Sequence, residues 1–429
     1  MNNIVKSIMK HIGIYIVTII ILWGALIVSA SIPNESIREN MEKSVYTYSN
    51  VEPFEITQEQ QLNSTADHYA DTISLNIAWN MGVGDSITSS IDTKYYDGEE
   101  LGENAGLYYT VIEGKEPNID YTRYWHGNSI FIRVLHLVTD VEGIKTIGLV
   151  TLGILVSISL YMLRKNIGIA LCLVLSLLAV HTWNIRLALE YQPAFILTFL
   201  LLPIYLYLER KGDHYLSYLS VIGGVSIAFF DFLTTETMTI LLPLAIVLCV
   251  RCKEERSGTF SKNLPLIIQC GAIWGISYVS TFITKWSLAS IITKENAFTN
   301  ALSSVGERVS GDLTHFAEAP DSFLSAPLAN IMMVFGGPSR VNYIRLLIFT
   351  TFSLLILFSI WYLFRSTRPK KEIVKCLGFL ASVVFVRYLV LNNHSYLHCF
   401  FTYRAMITVI FALFASLYLN ISLKQEKRK

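Results

Sequence analysis

Apolar residues come in blocks of about twenty, separated by short polar breaks, and only one break is long. Apolar runs fall near 11–30, 145–163, 166–182, 192–208, 214–230, 237–252, 264–284, 341–364, 373–391 and 399–422. A spanning helix needs about 20 mostly apolar residues, so the pattern predicts an all-α polytopic membrane protein with about ten transmembrane helices. Three regions follow from it. Residues 1–30 are a short N-terminus and the first span, 31–144 a long polar loop, and 145–429 a multi-span region with a second polar segment at 286–340.

Within the long loop, residues 34–47 read as an exposed helix leaving the membrane. Residues 67–80 (DHYADTISLNIAWN) carry Ile73, Leu75 and Ile77 at helical spacing and read as a second helix. Residues 81–122, rich in Gly, Asp, Ser and Tyr, read as turns and short strands. Residues 128–141 (NSIFIRVLHLVTDV) are amphipathic, with Arg133 and His136 between apolar residues, which suits a helix lying on the membrane surface.

The basic residues orient this array. With the N-terminus inside, Lys6, Lys10, Arg164, Lys165, Arg210, Lys211, Arg251, Lys253, Arg256, Lys262, Arg365, Arg368, Lys370, Lys371, Lys424 and Lys427 to Lys429 all fall on the cytoplasmic side. Short cytoplasmic loops carry such an excess. The expectation is a multi-pass protein of the plasma (inner) membrane, both termini cytoplasmic and the long loop extracytoplasmic. The first run also has a basic start and small residues at Val28-Ser29-Ala30, as a cleaved signal peptide has, but its apolar stretch is longer than a usual signal core.

Composition narrows the partners. Of 429 residues, 52% are apolar and 16% charged, and the net charge of +1 supplies no basic face for nucleic acid. The partner expected from this composition is the lipid bilayer; a lipid-linked sugar donor and a glycan acceptor enter only as what a family resemblance implies. The six cysteines lie in or beside apolar runs and read as small hydrophobes. Walker A, Rossmann, HExxH and GxSxG patterns are missing.

Candidate chemistry gathers at the predicted outer boundary. Arg186, Lys285, Arg345, Arg387 and Arg404 fall there on separate spans. Intramembrane cations are expensive unless paired, snorkelling or facing a hydrated cavity. A ring of them suits a lipid-linked phosphate. Arg404 closes the segment 392–404, which also holds His394, Tyr396, His398 and Tyr403. The ordinary alternative is that each cation pairs with Glu190, Asp231 or Glu236.

The loop acids form a second group. Asp67 and Asp71 are four apart, as are Glu35 and Glu39, so a helix would aim each pair at one face. A carboxylate there would act as general base toward an acceptor hydroxyl. Ser64 three residues before Asp67 resembles a capping box, which gives Asp67 a purely structural alternative. Asp71 lies past the first turn and is the leading candidate, followed by Asp67 and Glu35. Trp125 and His126, after Arg123 and Tyr124, are candidates to stack on a sugar ring or to form an interfacial belt. No metal-ligand spacing is present, and a divalent cofactor is left open.

One span, a large loop bearing acids, and then many spans with short loops resembles the integral-membrane glycosyltransferases of the C-type fold. Segments YWHGNSIFIR (124–133) and NHSYLHCFFTYR (393–404) look like those of bacterial membrane proteins with that layout. The resemblance implies transfer of a sugar from a polyprenyl-phosphate carrier to an envelope glycan or other acceptor on the outer face. It implies Asp71, Asp67 or Glu35 as the base. Arg404, His398, His394, Tyr403, Lys285, Arg186, Trp125 and His126 would bind substrate. The family's adjacent acidic pair directly after span one is replaced here by Asn34-Glu35-Ser36 and by Asp67 and Asp71, which leaves the base open. A transporter or flippase of lipid-linked glycans, and a glycan polymerase or ligase, are the alternatives. Transporters favour internal repeats and midplane polar residues, which this chain does not show.

Overall fold

The computed structural model describes residues 3–98, 104–256, 258–309, 322–337 and 371–426. The predicted span 341–364, its Arg345, and the basic residues Arg365, Arg368, Lys370 and Lys427 to Lys429 lie outside them. The protein is helical, with two small two-stranded antiparallel sheets in the long loop. Among the described residues, six helices are long and apolar enough to cross a membrane. They are α1 (Asn3–Ala30), α7 (Val141–Met162), the run 189–208 containing α9 (Gln192–Leu208), α12 (Phe260–Thr293), α15 (Lys371–Val390), and the run 399–420 containing most of α18 (Ile407–Glu426).

Shorter helices α8 (Ile167–Ala179), α10 (Asp213–Phe230) and α11 (Met238–Lys253) pack into the same bundle. α11 is apolar all round, and Met238 to Cys252 are buried without exception, so it forms the core of the bundle. α10 and α12 approach closely at Gly224, where a Cβ would lie 2.3 Å from the Trp274 carbonyl oxygen. At the end opposite the long loop, Arg251 pairs with Glu209 (3.2 Å) and Asp213 (2.7 Å), and Arg256 with Glu209 (2.9 Å).

The long loop folds onto the bundle as a cap with its own small core. α2 (Asn34–Tyr48) is not simply exposed. Its residues Ile37, Met41, Val45 and Tyr48, at spacings of four and three, pack against Leu75, Leu107 and Ile144. α3 (His68–Asn80) forms as expected, and Asp67 is its N-cap, accepting from the Ala70 N–H at 2.8 Å. Strands β1 (Phe54–Ile56) and β2 (Thr65–Asp67) pair antiparallel, with Phe54 opposite Asp67. Residues 81–122 hold α4 (Ser86–Ile91), α5 (Ala105–Val111) and the paired strands β3 (Lys94–Tyr95) and β4 (Ile119–Asp120).

The predicted amphipathic helix is the short α6 (Ser129–Leu135), and its polarity is inverted relative to the expectation. Phe131, Val134, Leu137 and Val138 face outward, while Arg133 and His136 are buried. The Arg133 guanidinium donates to the carbonyls of Ser29 (2.8 Å), Ala78 (2.5 Å) and Ile32, so it caps the end of α1 and ties it to α3. Free C-terminal carbonyls need donors, and here a distant arginine supplies them.

His136 lies between the Ile132 carbonyl (2.7 Å) and the Ser44 hydroxyl (2.9 Å), and burial pushes it down to about 4. His126, held by the Tyr121 carbonyl at 3.0 Å, is pushed down to about 3 by burial and then by the Lys285 charge. Both fold as neutral imidazoles, whereas the unfolded chain titrates near pH 6.5. Stability is therefore full above about pH 6.5 and falls as pH drops toward 4, because only the unfolded state takes up these protons. Unfolding midpoints in detergent between pH 8 and pH 4 should fall steadily below pH 6.5; a flat profile would contradict the assignment.

Candidate active site

A cavity of about 680 Å3 opens where the loop cap meets the ends of the later helices. One wall is β1, β2 and α3, which contribute Phe54, Asp67, Tyr69, Ala70, Ile73 and Ser74. The Tyr121–His126 turn supplies Tyr121, Arg123, Tyr124 and His126. Glu190 enters from the start of the 189–208 run, and Arg308 from α13 (Ala297–Val309). His394, Leu397 and His398 come from α16 (Asn392–Leu397) and its end. Phe400 and Phe401 come from α17 (Cys399–Thr402).

The carboxylic side chains of Asp67 and Glu190 both line this cavity. Glu190 is 8% exposed, and among the described residues its buried Oε1 has no hydrogen-bond partner. Two guanidiniums also border the cavity. Arg123 lies over the Tyr121 ring at 4.0 Å, and Arg308 over Tyr124 at 5.7 Å, each with a buried Nε that has no partner among the described residues. Ring faces attract such cations but leave their N–H groups unsatisfied.

The imidazoles of His394 and His398 stand 4.7 Å apart. Burial pushes His398 down to about 4 and His394 well below the usual imidazole range, with the Arg387 and Arg308 charges adding to the effect. Near neutral pH both rings therefore offer a neutral donor and an acceptor rather than a charge. His394 Nε2 donates to the Leu233 carbonyl at 2.9 Å, which leaves Nδ1 as an acceptor.

The turn carrying His126 is tightly constrained. His126 adopts φ +55°, a left-handed conformation uncommon for a side-chain-bearing residue. The next residue must be glycine, because a Cβ on Gly127 would lie 2.6 Å from the Phe229 carbonyl oxygen. Leu233, which follows the lining residue Phe232 and accepts from His394, is also left-handed, at φ +66°. Strained backbone of this kind gathers at functional sites.

Of the residues singled out from sequence, Asp67, His126, His394 and His398 meet in this cavity. Others do not, and each has a physical reason. Asp71 is fully buried behind the cavity wall, paired with Lys145 at 2.8 Å and accepting from Tyr48 Oη at 2.8 Å and the Leu189 N–H at 2.6 Å. Glu35 is a solvated side chain paired with Arg38 at 2.9 Å. Trp125 is buried against Phe229 and donates to the Thr281 carbonyl at 2.8 Å, so no sugar reaches its face.

Among the described residues the expected cationic ring does not assemble, and its member Arg345 lies outside them. Lys285 is buried and donates to the Ile91 carbonyl at 2.5 Å. Arg387 is bonded to Glu236 (2.9 Å) and the Leu233 carbonyl, while Arg186 is exposed. Buried cations take the nearest acceptor rather than wait for a ligand. Tyr403 donates to the Val180 carbonyl at 3.0 Å, away from the cavity. Arg404, 1% exposed, lies over the Tyr191 ring at 4.4 Å, and among the described residues its three guanidinium nitrogens have no hydrogen-bond partner. It sits behind Tyr191 and Phe401, one layer beyond the cavity lining.

Sequence reasoning missed Glu190, Arg123 and Arg308 as site residues. Glu190 had a usable signal, since an acid in the first turn of an apolar span is a functional candidate by default. Arg308 had none, because its helix is short and mixed in composition. Among the described residues no group of three or more His, Cys, Asp or Glu is arranged to hold a metal ion, so no ligand set can be named for the divalent cofactor left open above. No protein-family model, curated protein or solved structure matches the chain.

Proposed function

We propose that this protein is a membrane glycosyltransferase that moves a sugar from a lipid-phosphate carrier to a glycan or other acceptor in the cavity beneath the loop cap. In this reading about ten spans carry the chain, with both termini cytoplasmic and the cap outside. One observation carries the proposal: a single cavity faces an acid pair, Asp67 and Glu190, with two incompletely bonded guanidiniums, Arg123 and Arg308. Displacement at a sugar phosphate requires both an acid and a cation within one cavity.

The chemistry balances without a redox step. The acceptor hydroxyl oxygen bonds to the anomeric carbon, and the bond from that carbon to the phosphate oxygen breaks. The phosphate keeps the electron pair, and its developing charge meets Arg123 and Arg308. The hydroxyl proton passes to the Asp67–Glu190 pair. Neutral imidazoles of His126 and His398 are placed to hydrogen-bond sugar hydroxyls, and the tyrosine and phenylalanine rings give the pyranose an apolar wall.

The test uses the whole protein in proteoliposomes with a labelled polyprenyl-phosphate hexose. Arg123→Ala and Arg308→Ala should each lower kcat/KM for this donor by roughly tenfold to a hundredfold, the worth of a charged hydrogen bond. Movement of the lipid between leaflets with no sugar transferred would overturn the proposal in favour of a flippase.

A further inference from the structure

A second cavity, of about 560 Å3, opens on the face of the loop cap. It is built by the last turn of α2, the 49–53 turn and the start of α5. Its chemistry is the opposite of the first. Tyr46, Tyr108 and Tyr109 line it together with Asn50, Asn104 and the buried Tyr48, and none of its described lining residues carries a charge. The first cavity holds two arginines, two carboxyls and three histidines. A phosphate or an acidic chain needs cations, and this cleft supplies none.

Aromatic faces joined to neutral amides and hydroxyls suit a polyhydroxyl ligand. The C–H face of a sugar packs on a ring, while its hydroxyls pair with amide and phenol groups. The rings are also held in place. Tyr46 is 62% exposed, yet it projects from a helix whose other side is locked in the cap core through Met41 and Val45. The Tyr48 hydroxyl is anchored on Asp71, and Tyr108 and Tyr109 meet edge to face at 5.7 Å. Asn104 is oriented by its bond to the Val51 carbonyl at 3.0 Å.

The two cavities share a rim. Pro53 lines the second, its neighbour Phe54 lines the first, and Phe54 is the strand partner of Asp67. A chain lying in the cleft and crossing this rim would arrive at the acid pair.

We infer that the cleft binds an uncharged glycan, seating the acceptor units that follow the one that reacts. This rests on the transferase proposal and adds the acceptor's chemical class and path. Its test is binding of malto-, cello-, chito- and mannohexaose to the full chain in nanodiscs, read by saturation-transfer NMR and titration. At least one should bind. Tyr46→Ala and Tyr108→Ala should each weaken it roughly two- to tenfold, the worth of one ring contact, with Tyr46→Trp restoring it. The acceptor KM should rise in these variants while the donor KM, measured at saturating acceptor, stays the same, and Asp67→Asn should leave hexasaccharide binding intact.

Failure of all four sugars to bind, or binding indifferent to both tyrosines, overturns the inference. Preference for an anionic glycan such as hexagalacturonate, or for a peptide, overturns it equally. Tyrosine-dependent glycan binding in a protein that transfers no sugar would instead sink the transferase reading and leave the cleft standing.

Discussion

Glu190→Gln and Asp67→Asn are each expected to cut sugar transfer by roughly a hundredfold to ten-thousandfold, the usual worth of a positioned acid or base. Both keep side-chain shape and remove the ability to take up the hydroxyl proton. The asparagine variant isolates chemistry from folding. Asp67 caps α3 through the Ala70 N–H, and an asparagine oxygen accepts that bond as well, so the helix start survives. Asp67→Ala removes both roles and should lose about 1 kcal/mol of stability besides. Glu190→Gln keeps the side-chain volume and removes a buried ionisable group, so the folded state should not suffer. Turnover of a labelled polyprenyl-phosphate hexose in proteoliposomes checks the first effect, and unfolding midpoints in detergent check the second. Turnover within about threefold of wild type in both variants would remove the acid pair from the mechanism.

The helices were legible because each depends on a local rule. A buried or lipid-facing helix needs a long apolar run, so 192–208 was placed to the residue and α8, α10 and α11 to within about three. The start of the last apolar run escaped that rule. Residues 399–406 are apolar enough to continue the helix but fold as a short α-turn and a 3-10 turn, with Arg404 buried among them.

The site was harder to read, because partners distant in sequence decide where a charge points. Asp67 and Asp71 illustrate this. Their spacing of four puts both on one face only if both are inside the helix, but Asp67 is the cap and lies outside it. One therefore faces the cavity, while the other turns to Lys145, and nothing in the local pattern separates the two. Arg387 and Lys285 follow the same logic. Their acceptors, Glu236 and the Ile91 carbonyl, lie more than a hundred residues away in sequence. Glu35 and Glu39 pair with near neighbours, Arg38 and Lys43, so local sequence is enough to place them on a solvated face.

Asp71→Asn is the sharpest test of this arrangement, because it should damage stability while sparing chemistry. The carboxylate is fully buried, with both oxygens in use. Oδ1 accepts from the Leu189 N–H at 2.6 Å, while Oδ2 meets Tyr48 Oη and Lys145 Nζ, each at 2.8 Å. These bonds tie three parts of the structure together: α2, α7 and the start of the 189–208 run. Removing the charge leaves the Lys145 ammonium, 4% exposed, with only the half-exposed Glu142 at 3.3 Å. Breaking a buried pair from one side costs about 3–5 kcal/mol, because the remaining charge is stranded away from water. Lys145→Met should cost about as much by stranding the carboxylate. The double variant Asp71→Asn/Lys145→Met should recover most of the loss, since a buried pair replaced by neutral groups of similar volume is often nearly neutral. Denaturant unfolding of the four proteins gives the cycle, and transfer per folded molecule should be close to wild type in each. A stable Asp71→Asn protein that transfers no sugar would reverse the conclusion and make Asp71 the base.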